Sequence, residues 1–130
     1  MTDRARLAAV ENLVEERLWP ASSAVDRADG LPIGHFEAMA RLGLYGMVVP
    51  VDHGGLGLEP SIVRRILRLL GSGCGATSFA FAQHHGTVGA VAASENEALR
   101  ERWLPALVDD SLAGIAYAHL RRPGPPVLRA

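Results

Sequence analysis

Gln83, His84 and His85 are consecutive in a run, Leu69 to Ser94, that contains no Asp, Glu, Lys or Arg. Polar side chains in so apolar a segment must find hydrogen bonds or face a cavity. An imidazole in either setting titrates near neutral pH and can act as a general acid or base. Two readings stay open on the residues alone. The three are core groups satisfied by neighbouring carbonyls or water, or they line a cleft. Metal chelation is the poorer account. Adjacent histidines on a helix point about 100° apart, unlike the i, i+4 pair a metal needs. His35, His53 and His119 are scattered along the chain, so no metal site is expected.

Cys74 lies between Gly73 and Gly75, ahead of a helix whose N-terminus could lower a thiol pKa. A nucleophile also needs a paired base, and none can be identified, so a buried structural cysteine is expected. As the only cysteine it allows no intrachain disulfide, which points to a reducing cytoplasm. The stretch from Gly43 to Leu58 holds several glycines between helical segments and reads as a rigid multi-turn connector, with Val48 and Val49 briefly extended and buried. A glycine loop that cradles phosphate wants a Lys or Ser/Thr after it at a helix start. Here Glu59 and Pro60 follow, and the carboxylate would compete with a phosphate.

The elements that must carry these residues follow from periodicity. Leu7, Val10, Val14, Leu18, Ala21, Val25 and Ala28 trace one face of a first helix from about Asp3 to Ala28, capped by Thr2 or Asp3 and kinked at Pro20. A short second helix from Leu31 to Leu42 buries Phe36, Met39 and Ala40 and ends at Gly43. A third begins at Pro60, with Ile62, Val63, Ile66, Leu67 and Leu70 inward and Arg64, Arg65 and Arg68 outward. The uncharged fourth helix, Ala76 to Ala93, reads as the buried centre of a bundle. Ser94 and Glu97 form a capping box for a fifth, which buries Leu99, Trp103 and Leu107 and is expected to be kinked or ended by Pro105. Leu112 to Leu120 reads as a strand that lacks a sheet, so the C-terminus looks cut off.

Composition narrows the class. A net charge of -1 gives no case for nucleic acid, and 48% hydrophobic residues in 130 suit one ordinary globular domain. All thirteen basic residues are Arg, a bias that carries no functional reading. Met1 to Arg6 pass straight into the charged first helix without an uninterrupted apolar run, so no secretory leader is expected. The uncharged run is long enough to span a bilayer, but Gln83, His84 and His85 would then lie at mid-depth, which is costly, so no membrane association is expected.

Leu18-Trp19-Pro20, Asp26 to Pro32, the Pro50, Gly54, Gly55, Gly57 loop and Arg102-Trp103-Leu104-Pro105-Ala106-Leu107 stand in an order and spacing that resemble the acyl-CoA dehydrogenase family. The likeness covers nearly all of residues 10 to 118. It implies an all-α fold, a bundle of about five helices over residues 1-110, followed in 111-130 by the first strand of a β-domain that is missing. It implies the N-terminal part of an FAD-dependent oxidoreductase that dehydrogenates acyl-CoA thioesters at the α,β-bond, and a homo-oligomer. In that family the helix carrying Gln83, His84 and His85 borders the acyl and flavin cleft. In flavin-dependent monooxygenases of the same fold a histidine there lies near the flavin ring. His85 matches best, with His84 as the fallback.

One departure qualifies the resemblance. The family enters its β-domain through Thr-Glu-Pro-x-x-Gly-Ser-Asp, where this chain has Ala118 to Pro126 without the threonine. Tyr117, His119, Arg121 and Arg122 remain as candidate flavin or CoA contacts, the arginines through phosphate pairing. The family's catalytic glutamate lies in a C-terminal domain, so no catalytic residue is assigned, and the chain alone is expected to be inactive and not to hold FAD. The alternatives are a fragment of a monooxygenase and a non-catalytic helical module.

Overall fold

The structure, a computed structural model, describes residues 1–115. Its N-terminal rod is helical from Asp3 to Asp26: α1 (Asp3–Leu13), one π-helical turn (Val14–Leu18) and α2 (Trp19–Asp26). Thr2 caps it by accepting a hydrogen bond from the Ala5 amide at 3.3 Å. Where a kink is expected at Pro20 the rod carries a π turn just ahead of the proline, in which the Trp19 amide donates to the Val14 carbonyl. Proline has no amide proton and its ring crowds the preceding turn, and a widened turn accommodates both. The buried face is Leu7, Val10, Leu13, Val14 and Leu18, and α2 has no buried residue. Arg6 shares that face through the i, i+4, i+7 series with Val10 and Leu13. It is buried and donates to the Leu42 carbonyl beyond the end of the next helix, where a cation meets the negative pole of the helix dipole.

That helix, α3 (Ile33–Arg41), buries His35, Phe36, Ala38 and Met39. Gly43, at φ 72°, turns the chain after it. The connector then runs through two 3-10 turns, Leu44–Gly46 and Val51–His53. Val48 and Val49 lie in turns rather than in the extended form expected, with Val49 fully buried. Amides of Leu56 and Leu58 donate to the Gly46 and Met47 carbonyls at 3.0 and 2.9 Å, and Gly57 donates to Val49 at 2.8 Å. These donors are spent inside the loop, so it has no ring of free amides to offer a phosphate.

Pro60 starts α4 (Pro60–Gly73), which buries Val63, Ile66 and Leu70 and leaves Arg64, Arg65 and Arg68 exposed. Arg65 lies 3.5 Å from Glu11 across exposed surface, a pair worth at most about 1 kcal/mol. The fourth helix of the sequence reading is α5 (Gly75–Ala92), and it is buried on one stripe only: Thr77, Phe81, His84 and Val88. Its other side is open, with Phe79 71% exposed. Absence of charge permits burial but does not compel it all round.

Two corrections fall on α6 (Glu97–Asp109). Its cap is Asn96, whose Oδ1 accepts from the Leu99 amide at 3.1 Å, not Ser94. Ser94 is still tied to α5 through its amide bond to the Val91 carbonyl. The buried face is Leu104 and Leu107, and Trp103 stands 47% exposed under the Arg102 guanidinium. Pro105 neither ends the helix nor leaves a buried carbonyl, because its turn faces solvent. Residues 112–115 have no regular secondary structure, and the remainder of the expected strand lies outside the described residues. Among the described residues there is no strand.

The core divides in two. The larger part joins the rod, α3, α4 and Phe81. The smaller, Val49, Val88, Leu104 and Leu107, sits between α5, α6 and the connector.

Candidate functional site

The helix α5 rotates Gln83, His84 and His85 into three different environments. Gln83 is half-buried and lines a cleft of about 330 Å³ with Leu31, Phe36, Ala80, Leu112, Ala113 and Gly114. His84 is fully buried behind that cleft, its ring 4.5 Å from the Tyr45 ring and 5.9 Å from that of Phe81, centroid to centroid. Its Nδ1 accepts from the Ala113 amide at 3.2 Å, which places the ring proton on Nε2. Among the described residues Nε2 is buried with no well-formed hydrogen bond, having only the Tyr45 backbone beside the ring, and Nδ1 of half-buried His85 has no partner. The three therefore do not act as one cluster. Tyr117, His119, Arg121 and Arg122 lie outside the described residues.

The cleft is chemically simple. Leucine, phenylalanine and alanine supply its walls, and Gln83 is the one polar side chain among the described residues that line it. Such a surface takes an apolar chain and can offer it one amide. It does not fit a flavin holder. A pyrophosphate needs cationic side chains or free amides at a helix start, and none of the described residues that line the cleft is cationic. A larger hollow, about 590 Å³, lies between the connector and α6, lined by Asp52, His53, Arg100, Glu101 and Asp109 among others. It shares no residue with α5, and its carboxylates suit an apolar ligand poorly. Among the described residues no group of His, Cys, Asp and Glu could hold a metal ion. No described helix is long and apolar enough to cross a membrane.

A second buried polar group was not legible in the sequence. His35 Nδ1 lies 3.0 Å from the Thr77 hydroxyl, which in turn donates to Cys74 Sγ at 3.3 Å. The chain His35–Thr77–Cys74 ties α3 to the α4–α5 turn, and Cys74 is buried as expected. Nothing in local spacing marks His35, since it sits beside Phe36 with no polar partner within reach along the chain.

Burial lowers the pKa values of His35, His84 and His85. Arg17 lowers His35 further, while for His84 the Tyr45 backbone opposes the burial effect and His85 adds to it. Each folded-state pKa thus lies below the unfolded value near 6.5. The unfolded chain binds protons first as pH falls, so it gains population. Stability is expected to be full above about pH 6.5 and to decline as pH falls from there through the folded pKa values. Urea midpoints between pH 8 and pH 5 check this. A midpoint constant or rising toward pH 5 contradicts it.

Residues 2–111 match the family described as acyl-CoA dehydrogenase, N-terminal domain. The chain is similar to a curated protein, the cyclohex-1-ene-1-carbonyl-CoA dehydrogenase of Syntrophus aciditrophicus (strain SB), at 26% identity over 109 residues. The match covers 84% of this chain and 26% of that protein, so the chain spans about a quarter of its relative's length.

Proposed function

We propose, for a chain that belongs to the acyl-CoA dehydrogenase family through its N-terminal domain, that it forms one wall of the acyl cleft in an FAD-dependent oxidoreductase acting on an acyl-CoA thioester. The observation that carries this is the apolar cleft on α5, with Gln83 as the one polar residue among the described residues that line it. Leu31, Phe36 and Leu112 pack the acyl chain and exclude water from it. The Gln83 amide sits where a polar group of the ligand can meet it. FAD held outside this cleft would supply the hydride acceptor for α,β-dehydrogenation. No carboxylate is among the described residues that line the cleft, so no α-proton base is assigned among them.

Exposed Trp19, at 66%, and Phe79 offer apolar surface for those further contacts and for a homo-oligomer. A second reading, a flavin-dependent monooxygenase of the same fold, is favoured by one observation, the buried Nδ1 of His85, which has no hydrogen-bond partner among the described residues.

Titration of the ¹⁵N-labelled chain with octanoyl-CoA is expected to shift the amides of Ala80, Gln83, Ala113 and Gly114 weakly, with CoA alone leaving them in place. Cyclohex-1-ene-1-carbonyl-CoA tests whether the relative's named substrate carries over. Gel filtration after incubation with excess FAD is expected to yield colourless protein. A stoichiometric yellow complex, or acyl-independent shifts confined to the Asp52–Arg100 hollow, overturns the reading.

A further inference from the structure

The wall of the cleft formed by Leu112, Ala113 and Gly114 has no helix or strand to hold it. An irregular segment keeps one position only where its backbone groups are bonded to something rigid. Ser111 is tied back to α6 by its amide bond to the Ala106 carbonyl. Beyond it, the Ala113 amide donates to His84 Nδ1 at 3.2 Å. The Thr87 hydroxyl lies 3.4 Å from the Gly114 carbonyl but 3.0 Å from that of Gln83, and its single proton favours the nearer acceptor. The best-placed bond on this wall is therefore the one to His84.

The acceptor is itself immobile. The imidazole stands on the most buried stripe of α5 and packs against the rings of Tyr45 and Phe81. It is also a costly group to bury, since among the described residues Nε2 has only the Tyr45 backbone near it and no well-formed hydrogen bond. An apolar residue of the same size would avoid that cost but could not accept from Ala113. Neither feature needs a ligand to explain it.

We infer that His84 is the positioning residue of the cleft: its Nδ1 fixes the Ala113 backbone, and with it the Leu112–Gly114 wall, so the imidazole sets the shape of a pocket it does not line. That the pocket holds an acyl chain rests on the function proposed above. The pin does not, because it is read from Ala113 without any ligand.

Amide hydrogen exchange on the ¹⁵N-labelled chain tests it. In His84→Leu the Ala113 amide is expected to exchange about tenfold faster, the factor one lost neutral hydrogen bond corresponds to, with the Val88 amide unchanged. His84→Asn is expected to restore protection, because asparagine's Oδ1 takes the place of Nδ1 as acceptor. In the unsubstituted chain, long-range ¹⁵N–¹H correlation is expected to show His84 with a bare Nδ1 and a protonated Nε2. An unchanged Ala113 rate in His84→Leu overturns the inference, and so does a proton found on Nδ1. Should His84→Leu fail to fold, the tautomer and the asparagine variant decide. If octanoyl-CoA shifts no amide in the unsubstituted chain, the acyl reading fails while the Ala113 measurements still stand.

Discussion

Gly55→Ala is expected to cost about 3 kcal/mol or more of folding stability, at the upper end of what overpacking does. A Cβ at this position would lie inside van der Waals contact of the Val49 carbonyl oxygen and Cβ, and 2.6 Å from its carbonyl carbon. Two consequences follow from pushing Val49 away. The Val49 carbonyl accepts from Gly57 at 2.8 Å, so the connector loses an internal bond. Val49 is also fully buried against Val88, Leu104 and Leu107, so the smaller core is disturbed with it. Gly54→Ala is the matched control. Its Cβ meets nothing within 4 Å, but φ is +83°, which costs other residues about 1–2 kcal/mol. Urea denaturation of both variants checks the order. Equal costs would show that backbone conformation, not the close approach to Val49, explains the glycine pair.

Phe81→Ala is expected to destabilise by about 3–5 kcal/mol, the range for removing a fully buried ring. The ring lies 6.2 Å from that of Tyr45 and 5.9 Å from that of His84, so its loss opens a cavity beside the imidazole. The damage should not stay in the core. A loosened His84 holds Ala113 less firmly, and exchange at that amide is expected to rise beyond the global loss of stability. Phe81→Leu, which keeps most of the volume, is expected to cost under about 1.5 kcal/mol after repacking and to leave Ala113 protected. A cost below about 1 kcal/mol for the alanine variant would contradict the packing described.

Much of the architecture was written in local pattern. The apolar spacing of Leu7, Val10, Val14 and Leu18, the proline that opens α4 and the glycine that closes α3 act over a few residues of chain. Such signals need no knowledge of what packs where, and they placed the helices and the connector. The fold class follows from them, and the order of the Leu-Trp-Pro, glycine-loop and Trp-Leu-Pro pieces carried the family likeness.

Rotation about a helix axis is another matter. On α5 nearly every residue is small or apolar, so no polar stripe tells which side faces inward. Whether Gln83, His84 or His85 meets the cleft was therefore open until Tyr45, Phe36 and residues 112–114, all distant in sequence, packed around it. The face of α6 turned for a similar reason. Leu99, Trp103 and Leu107 make a good apolar stripe, but Gly46 of the connector approaches Val108 so closely that a Cβ there would lie 2.8 Å from it. That contact selects the aliphatic side with Leu104 and Leu107 and leaves Trp103 in solvent. Local sequence determined which segments coil, because helix formation is a property of neighbours along the chain. Tertiary contact decided which way they face, because that depends on the shapes of surfaces the chain brings together only on folding.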